Sequence, residues 1–277
     1  MAQADIIFQQ NVRDILEKGV WQDPKAGLRT RWADGQPAKA KKIFGLVNRY
    51  HLQEEFPILT VRKCPFHYPI REMLWIWQKH SNRVADLGLP LWDAWAKEDG
   101  TIGKAYGYQL GIPYRFAEGE STIVDHLLYL LKHDPNSRRM VAHMYNYQDL
   151  ADMALEPCAY SLTLNVTGHT LNGLLNQRSQ DMMVANSWNV VQYACLLHLF
   201  AQVSGLVPGD LVHVIADAHI YDRHISMAED LVQAPSYPAP EFSLTPAPGG
   251  FYAYTEENFH LSSYQHGKDY GSLEVAE

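Results

Sequence analysis

Three cysteines are the strongest candidate nucleophiles of the chain, and one of them has neighbours suited to catalysis. Cys64 has no catalytic partner in its sequence neighbourhood, and Cys195 lies in an apolar stretch typical of a buried helix. Cys158 opens a predicted strand, a position from which a side chain can face a cleft. Neighbouring arginines would lower the pKa of its thiol and increase the fraction of thiolate. We therefore expect a reactive Cys158 and two cysteines that fill the core.

Other side chains are suited to binding an anion or moving a proton. Arg178-Ser179 ends a predicted strand, and a guanidinium beside a hydroxyl can hold a phosphate. Arg138-Arg139 forms a second basic unit, and His219 and Tyr221 alternate along a strand end, which places both on one face. Glu72 lies among apolar residues, where a carboxyl would have a raised pKa and could relay protons. Each also has a simpler interpretation as a solvated charge or a core contact.

Hydrophobic periodicity predicts the elements that must position these side chains. Helices are predicted over residues 5–18, 69–80, 123–132, 189–204 and 222–233, and strands over residues 138–146, 158–166, 171–179 and 211–216. Gly168-His169 would join two of these strands in a hairpin. The polar stretch 20–42 predicts a mobile loop, and the aromatic, glycine-rich stretch 91–110 predicts irregular structure around a pocket.

The mixture of elements and the charge indicate the fold class and limit the partners. Strands and helices follow each other without regular alternation, which favours an α+β fold over a doubly wound one. No repeat or linker divides the sequence, so we expect a single domain over residues 1–277. The chain carries 23 Lys and Arg against 31 Asp and Glu, a net charge of −8, which disfavours nucleic acid as the main partner. Arginines that converge on one pocket could still bind a small anion.

Cysteine usage and hydropathy predict the compartment. The three cysteines are widely spaced and offer neither a disulfide framework nor the spacing of a metal site. The N-terminus lacks the basic and apolar segments of a secretory signal, and no apolar run reaches membrane-spanning length. We expect a soluble, cytoplasmic protein with no metal and no membrane partner.

Several sequence blocks, in order, carry a resemblance that extends from Arg29 to the C-terminus. The sequence resembles the thymidylate synthase family, the folate-dependent dUMP methylases. The blocks are Phe56-Pro57-Ile58-Leu59-Thr60, Glu72-Met73-Leu74-Trp75, Leu91-Trp92-Asp93-Ala94-Trp95, Gly103-Lys104-Ala105-Tyr106-Gly107, Ser137-Arg138-Arg139, Met153-Ala154-Leu155-Glu156-Pro157-Cys158, Gln177-Arg178-Ser179-Gln180-Asp181, Trp188-Asn189-Val190 and Asp217-Ala218-His219-Ile220-Tyr221.

The resemblance implies the reductive methylation of dUMP to dTMP. Attack by a thiolate at C6 makes C5 of the uracil nucleophilic. In this family, 5,10-methylenetetrahydrofolate supplies both the carbon and the hydride and leaves as dihydrofolate, with no metal or nicotinamide. The implied fold is a mixed β-sheet flanked by helices, with one sheet face packed in a homodimer.

The resemblance also assigns roles to individual residues. The implied catalytic residues are Cys158 as nucleophile, Glu72 as proton relay and Tyr106 in removal of the C5 proton. The implied dUMP-binding residues are Arg29, Arg138, Arg139, Arg178, Ser179, Asp181, Asn189, His219 and Tyr221, with Arg138 and Arg139 donated across the dimer interface. The implied folate-binding residues are Arg62, Trp92, Leu155, Asp181, Val275 and Ala276. Asn189 carries both a donor and an acceptor, which suits uracil O4 and N3–H and favours dUMP over dCMP.

Some positions depart from the family pattern. Ala159 stands where histidine usually follows the nucleophile. Residues 184–189 read Val-Ala-Asn-Ser-Trp-Asn in place of Leu-Gly-x-Pro-Phe-Asn. The loop at Arg29 continues with Thr30-Arg31-Trp32 where Arg-Thr-Gly is usual, and Glu277 stands where an apolar residue is usual.

Two other functions fit parts of the sequence. A pyrimidine nucleotide hydroxymethylase of the same fold would use the same attack by Cys158 but let water quench the intermediate. Trp92 and the C-terminal segment would exclude water and therefore favour methylation. A non-catalytic RNA-binding protein is disfavoured by the net charge of −8 and by the lack of a long basic stripe.

Overall fold

The computed structural model describes residues 1–23, 25 and 27–277. Its helices are α1 (Gln3–Lys18), α2 (His67–Trp77), α3 (Val84–Leu87), α4 (Gly107–Leu110), α5 (Ile123–His133), α6 (Asn186–Val203) and α7 (Ile225–Gln233). Its strands are β1 (Val20–Trp21), β2 (Ala40–His51), β3 (Tyr114–Phe116), β4 (Gly119–Ser121), β5 (Val141–His143), β6 (Ala159–Thr167), β7 (Thr170–Asp181), β8 (Val207–Tyr221), β9 (Glu241–Leu244) and β10 (Phe259–Ser262).

A mixed sheet of six strands forms the centre of the described residues. Its order is β1-β2-β8-β7-β6-β5, with β7 and β8 parallel and the other neighbours antiparallel. α6 connects the parallel pair, because parallel neighbours need a crossover connection. β6 and β7 form the predicted hairpin, and Gly168 in its turn has a φ of 63°, which glycine adopts without strain. The predicted α+β class, with a mixed sheet flanked by helices, is confirmed.

α6 is a deeply buried helix of the core. It packs against α2 on one side and against β7 and β8 on the other, which explains why its residues are apolar nearly all round. Leu211, His213 and Ile215 alternate on the buried face of β8. The sheet therefore has one face that the helices of this chain cover.

The opposite face of the sheet carries apolar side chains. Val47 pairs with Val214, and Leu174 pairs with Val212, so these four residues share one face. Val47 is 68% exposed and Leu174 is 36% exposed. We call Val47, Leu174, Val212 and Val214 the outer sheet face.

The structure moves several predicted boundaries. Residues 20–42, predicted as a loop, include β1 and the start of β2, a long strand that the sequence pattern did not predict. The helix predicted over residues 69–80 was placed too far towards the C-terminus, since α2 covers His67–Trp77. The strand predicted over residues 138–146 was too long, since β5 covers only Val141–His143. β8 is longer than the predicted 211–216, and Asp222–His224 forms a 3₁₀ turn before α7. None of the helices described is long and apolar enough to cross a membrane.

Candidate active site

One cavity of about 490 Å³ brings most of the predicted site residues together. Because β7 and β8 are parallel, their C-terminal ends meet at one edge of the sheet, where Asp181 pairs with His219. The cavity lies at this edge, and residues of α2 and α6 complete its wall together with residues 275–277. The predicted residues that line it are Glu72, Trp92, Tyr106, Leu155, Cys158, Arg178, Ser179, Asp181, Asn189, His219, Tyr221, Val275 and Ala276.

Arg178 fixes the segment that carries Cys158. Its Nη2 donates to the carbonyl of Glu156 at 2.7 Å, and its Nε donates to the carbonyl of Pro157 at 3.1 Å. The backbone N–H of Cys158 donates to the hydroxyl oxygen of Tyr106 at 3.0 Å. The thiol therefore has a guanidinium and a phenol beside it at the cavity wall.

Burial controls the ionisation of the thiol in the single chain. Burial raises the pKa of Cys158, and this effect exceeds the lowering by Arg178 and by the hydrogen bond with Tyr106, while Glu156 raises the pKa further. The expectation that neighbouring arginines lower this pKa is therefore wrong for the net direction, although Arg178 acts as expected. The cavity removes water from around the thiol. The stabilisation of the thiolate that is lost with this water exceeds the stabilisation that Arg178 and Tyr106 supply.

Tyr106 holds its phenol at Cys158 through an unusual backbone conformation. Its φ is 43°, a left-handed value that costs a non-glycine residue about 1–3 kcal/mol. Burial raises the pKa of Tyr106 well above its usual value, so the hydroxyl keeps its proton. The oxygen accepts the N–H of Cys158, and the same hydroxyl forms the hydrogen bond that lowers the pKa of the Cys158 thiol.

Glu72 is a buried carboxylate held by three donors. Nε1 of Trp92 donates to Oε1 at 2.6 Å. Nε1 of Trp188 and Nε2 of Gln192 donate to Oε2 at 2.7 and 2.9 Å. Burial raises the pKa of Glu72, and the three donors oppose that rise only in part. The direction agrees with the sequence-based expectation of a raised pKa, but three polar donors surround a carboxyl that was expected in an apolar site.

A relay of neutral groups fixes the amide of Asn189. Nε2 of Gln177 donates to Asn189 Oδ1 at 3.2 Å, and the Gln177 Oε1 lies 2.8 Å from Nε2 of His213. Burial lowers the pKa of His213 to about 3, so its imidazole is neutral and donates through Nε2 to the amide oxygen. This relay sets which side of the Asn189 amide carries the oxygen and leaves the Nδ2 donor free for a ligand.

A polar recess of about 280 Å³ adjoins the cavity. It is lined by Gln22, Thr30, Ala40, Arg178, Ser179, Asp217, His219 and Tyr221. Asp217 Oδ1 lies 3.0 Å from Nδ1 of His219, and its Oδ2 accepts from Lys42 Nζ at 2.6 Å. A carboxylate acceptor at Nδ1 orients the imidazole, so that Nε2 remains for a hydroxyl ligand.

Four predicted residues lie elsewhere. Arg29, Arg138 and Arg139 are exposed and do not line the cavity of their own chain. The guanidinium of Arg62 is buried, and its Nη2 donates to the carbonyl of Met183 at 2.6 Å. The contact of Arg62 with a folate tail stays a prediction, and in this conformation its guanidinium supports the segment that follows β7.

The C-terminal segment closes one side of the cavity and is held there by an ion-pair cluster. Arg223 donates to both carboxylate oxygens of Glu274 at 3.0 Å and to Asp34 at 2.6 Å, and its guanidinium lies 4.9 Å from the ring centre of Trp32. We call Asp34, Arg223 and Glu274 the C-terminal latch.

Backbone pairing supports the C-terminal latch. The N–H of Glu277 donates to the carbonyl of Arg31 at 2.8 Å, and the N–H of Arg31 donates back to Glu277. Two of the departures from the family pattern therefore meet here, because Glu277 lies in the closing segment and pairs with Arg31 of the Arg31-Trp32 loop.

Sequence reasoning missed four polar residues that support the site: Gln177, Gln192, His213 and Asp217. A polar side chain at a buried position needs a hydrogen-bonding partner. Gln192 within the apolar α6 and His213 at an inward position of β8 carried that signal. The signal shows that a partner exists but not which residue supplies it.

Comparisons with known proteins agree with this geometry. The family model of thymidylate synthase matches residues 6–276. Thymidylate synthase of Bacillus licheniformis is 40% identical over 281 residues and covers 100% of both chains, and that of Bacillus phage phi3T is 39% identical over 96% of this chain and 97% of the relative. The solved structure of thermostable thymidylate synthase A from Bacillus subtilis matches with a TM-score of 0.94 at 38% identity, over 100% of both chains. The chain therefore belongs to the thymidylate synthase family and is a methyltransferase.

Proposed function

We propose that the cavity carries out the family reaction, the reductive methylation of dUMP to dTMP, through a covalent bond between Cys158 and C6. One observation carries this proposal: the thiol of Cys158, the carboxyl of Glu72, the amide of Asn189 and the guanidinium of Arg178 converge on one cavity. Each has a neighbour that fixes its position, as a preorganised site requires.

The polar recess suits a deoxynucleotide phosphate and sugar. Arg178 and Ser179 can hold the phosphate, and His219 and Tyr221 can hold the 3′-hydroxyl. The amide of Asn189, oriented by Gln177, would read the pyrimidine edge. We propose dUMP as the substrate, since an amide offers the acceptor and the donor that uracil N3–H and O4 require.

The other half of the cavity suits a folate. Trp92, Trp95, Leu155 and Val275 give it an aromatic and apolar wall that fits a flat ring system, and Asp181 offers a hydrogen-bond acceptor at its edge. When bound, 5,10-methylenetetrahydrofolate would supply the one-carbon unit and the hydride, and dihydrofolate would leave.

The residues of the chain would supply nucleophilic attack and proton transfer. The Cys158 thiolate adds to C6, which makes C5 nucleophilic, and its later departure restores the ring. Tyr106, whose hydroxyl lies at Cys158, would support removal of the C5 proton. Glu72 would relay protons from the opposite wall of the cavity.

We propose a homodimer that completes each site. The outer sheet face is apolar, and two of its four residues, Val47 and Leu174, are exposed, as expected of a surface that a second copy covers. Arg138 and Arg139 are exposed, and neither has a carboxylate partner within the described residues. Donation of both arginines to the partner's cavity would add the positive charge that the buried thiol of Cys158 and a phosphate require.

The C-terminal latch favours methylation over hydroxymethylation. It holds Val275 and Ala276 against the cavity, and water excluded in this way cannot quench the methylene intermediate. The free thiols, two of them buried, favour a reducing compartment, and we propose the cytoplasm. The net charge of −8 makes RNA a poor main partner.

Mass spectrometry of the protein incubated with 5-fluoro-dUMP and methylenetetrahydrofolate tests the function. Fluorine at C5 cannot leave as a proton does, so the ternary adduct should be trapped. We expect the adduct on Cys158 and its loss in Cys158→Ala, while Cys64→Ala keeps it. An adduct on Cys64 or Cys195 would contradict the proposal.

A further inference from the structure

The carboxylate of Glu72 receives its hydrogen bonds unequally. Oε2 accepts two, from Trp188 and Gln192, whereas Oε1 accepts one, from Trp92. Each carboxylate oxygen has two lone pairs in its plane. The protein donors therefore saturate Oε2 and leave one lone pair of Oε1 open at a residue that lines the cavity.

Within the part of the chain that the structure describes, the groups that face Glu72 are neutral. The influences on its pKa are burial and three uncharged donors, and no described arginine or lysine contributes. The titratable groups that face it are the phenols of Tyr106 and Tyr193, and burial raises the pKa of both above the usual range, so they remain neutral. An indole N–H and an amide N–H₂ can only donate here, so these bonds stabilise the charged form of Glu72.

α6 supplies both donors of Oε2 through its helical spacing. Trp188 and Gln192 are four residues apart, which places them on one face of the helix. At the position of Trp188 the family pattern usually has phenylalanine, which has no N–H to donate. The departure at Trp188 thus adds a hydrogen bond to the proposed proton relay.

We propose that Trp188 and Gln192 are positioning residues that occupy Oε2 of Glu72, so that Glu72 accepts and releases protons only through Oε1. This rests on the proposed role of Glu72 as proton relay. A proton that arrives from the cavity binds the open lone pair of Oε1, and the carboxylate is regenerated when that proton returns to the cavity.

The pH dependence of kcat in Trp188→Phe and Gln192→Leu tests the proposal. Each variant removes one donor and keeps the apolar bulk. Loss of a bond to the charged form raises the pKa of Glu72, so the limb of the kcat–pH profile that depends on Glu72 should move to higher pH by about one to two units. KM for dUMP should change less than kcat. The infrared carboxylic-acid band, identified as the band absent in Glu72→Gln, should titrate with the same shift.

Trp75→Phe is the matched control. Trp75 is a buried indole of α2 whose N–H donates to the carbonyl of Arg83 rather than to Glu72. Trp75→Phe should lower the free energy of unfolding but leave the kcat–pH profile unshifted. Unshifted profiles and infrared titrations in folded Trp188→Phe and Gln192→Leu would overturn the inference. If Glu72→Gln keeps full turnover, the proposed role of Glu72 itself fails, which distinguishes the two failures.

Discussion

At the scale of residues, the pKa values of the site depend on two opposing effects. Burial raises them, whereas neighbouring positive charge and hydrogen-bond donors lower them. Burial raises the pKa of Cys158, Glu72 and Tyr106 alike. Arg178 and Tyr106 oppose the rise for Cys158, three donors oppose it for Glu72, and for Tyr106 only the N–H of Cys158 opposes it. Tyr106 therefore stays protonated, whereas Cys158 and Glu72 respond to small changes around them. Their neighbours Arg178, Trp188 and Gln192 are accordingly the places where substitution should alter chemistry without touching a reacting atom.

Arg178→Gln should reduce the reactivity of Cys158. It removes the nearby positive charge, which disfavours the thiolate and raises the thiol pKa further. The midpoint of the pH dependence of iodoacetamide alkylation should move up by about one unit, and turnover at pH 7 should fall about 100-fold. Arg13→Gln, on the exposed face of α1, should change neither. An unchanged alkylation midpoint in folded Arg178→Gln would refute this prediction.

Asn189→Asp should shift the choice of pyrimidine. A carboxyl in place of the amide loses the donor that uracil O4 requires, and Gln177 would still hold the remaining oxygen. We expect the ratio of kcat/KM for dCMP to that for dUMP to rise about 100-fold or more. Product analysis by chromatography measures both reactions. Unchanged turnover of dUMP together with unchanged rejection of dCMP would mean that Asn189 does not read the base.

The site was predictable from sequence to different degrees for different residues. Cys158 and Arg178 belong to blocks that carry family resemblance, and the structure brings them to the cavity. The net pKa of Cys158 was not predictable, because it depends on how much water the folded cavity removes. The roles of Gln192 and His213 were hidden for a related reason: their partners, Glu72 and Gln177, lie far away in sequence.

At the scale of elements, the hairpin was predicted well and β2 was missed. The hairpin has regular alternation and a glycine in its turn, which are local signals. β2 lacks them, because Asn48 points inward to a buried hydrogen bond with Asn11 while Val47 and Phe44 are exposed. A strand with a buried asparagine and with exposed apolar residues does not show the usual alternation.

The C-terminal latch is the element whose loosening should most affect the folate step. Glu274→Gln weakens an ion pair with Arg223 at the surface, a contribution of about 1 kcal/mol or less. We expect KM for the folate to rise about three- to fivefold and some 5-hydroxymethyl-dUMP to form as water enters. Liquid chromatography with mass detection quantifies both products.

Lys63→Gln is the matched control for the latch. It breaks the exposed ion pair with Asp269, which also lies near the C-terminus but outside the cavity. It should leave the folate KM and the product unchanged. Equal effects of the two substitutions, or none from Glu274→Gln, would show that the latch does not control closure.

At the scale of the whole molecule, we propose that a second copy of the chain completes the site. The chain has a net charge of −8, and its Arg138 and Arg139 are exposed. The hydrophobic core runs through residues from α1 to β10, and the single domain stays a prediction. The outer sheet face is the apolar surface that we propose a second copy covers.

Mixing two inactive variants tests donation across the interface. One variant is Cys158→Ala, and the other is Arg138→Ala/Arg139→Ala. If the arginines act in the partner's site, a mixed dimer has one intact site, so statistical exchange should restore about a quarter of the activity of the unmodified dimer. Arginines that act within their own chain would restore none. Analytical ultracentrifugation of each variant confirms that dimers form.

The parallel pairing of β7 with β8 also determines where the chain can tolerate insertions. Asp181 and His219 face each other at the cavity end, and Gly168-His169 turns at the other end, roughly 35 Å away along β7. An extra residue near Asp181 would shift the phosphate-binding half of the site against the sugar-binding half and invert the side chains beyond it. An extra residue at Gly168 changes only a remote turn. Variants with a residue inserted at Gly168 should therefore keep their activity, whereas variants with a residue inserted near Asp181 should lose it.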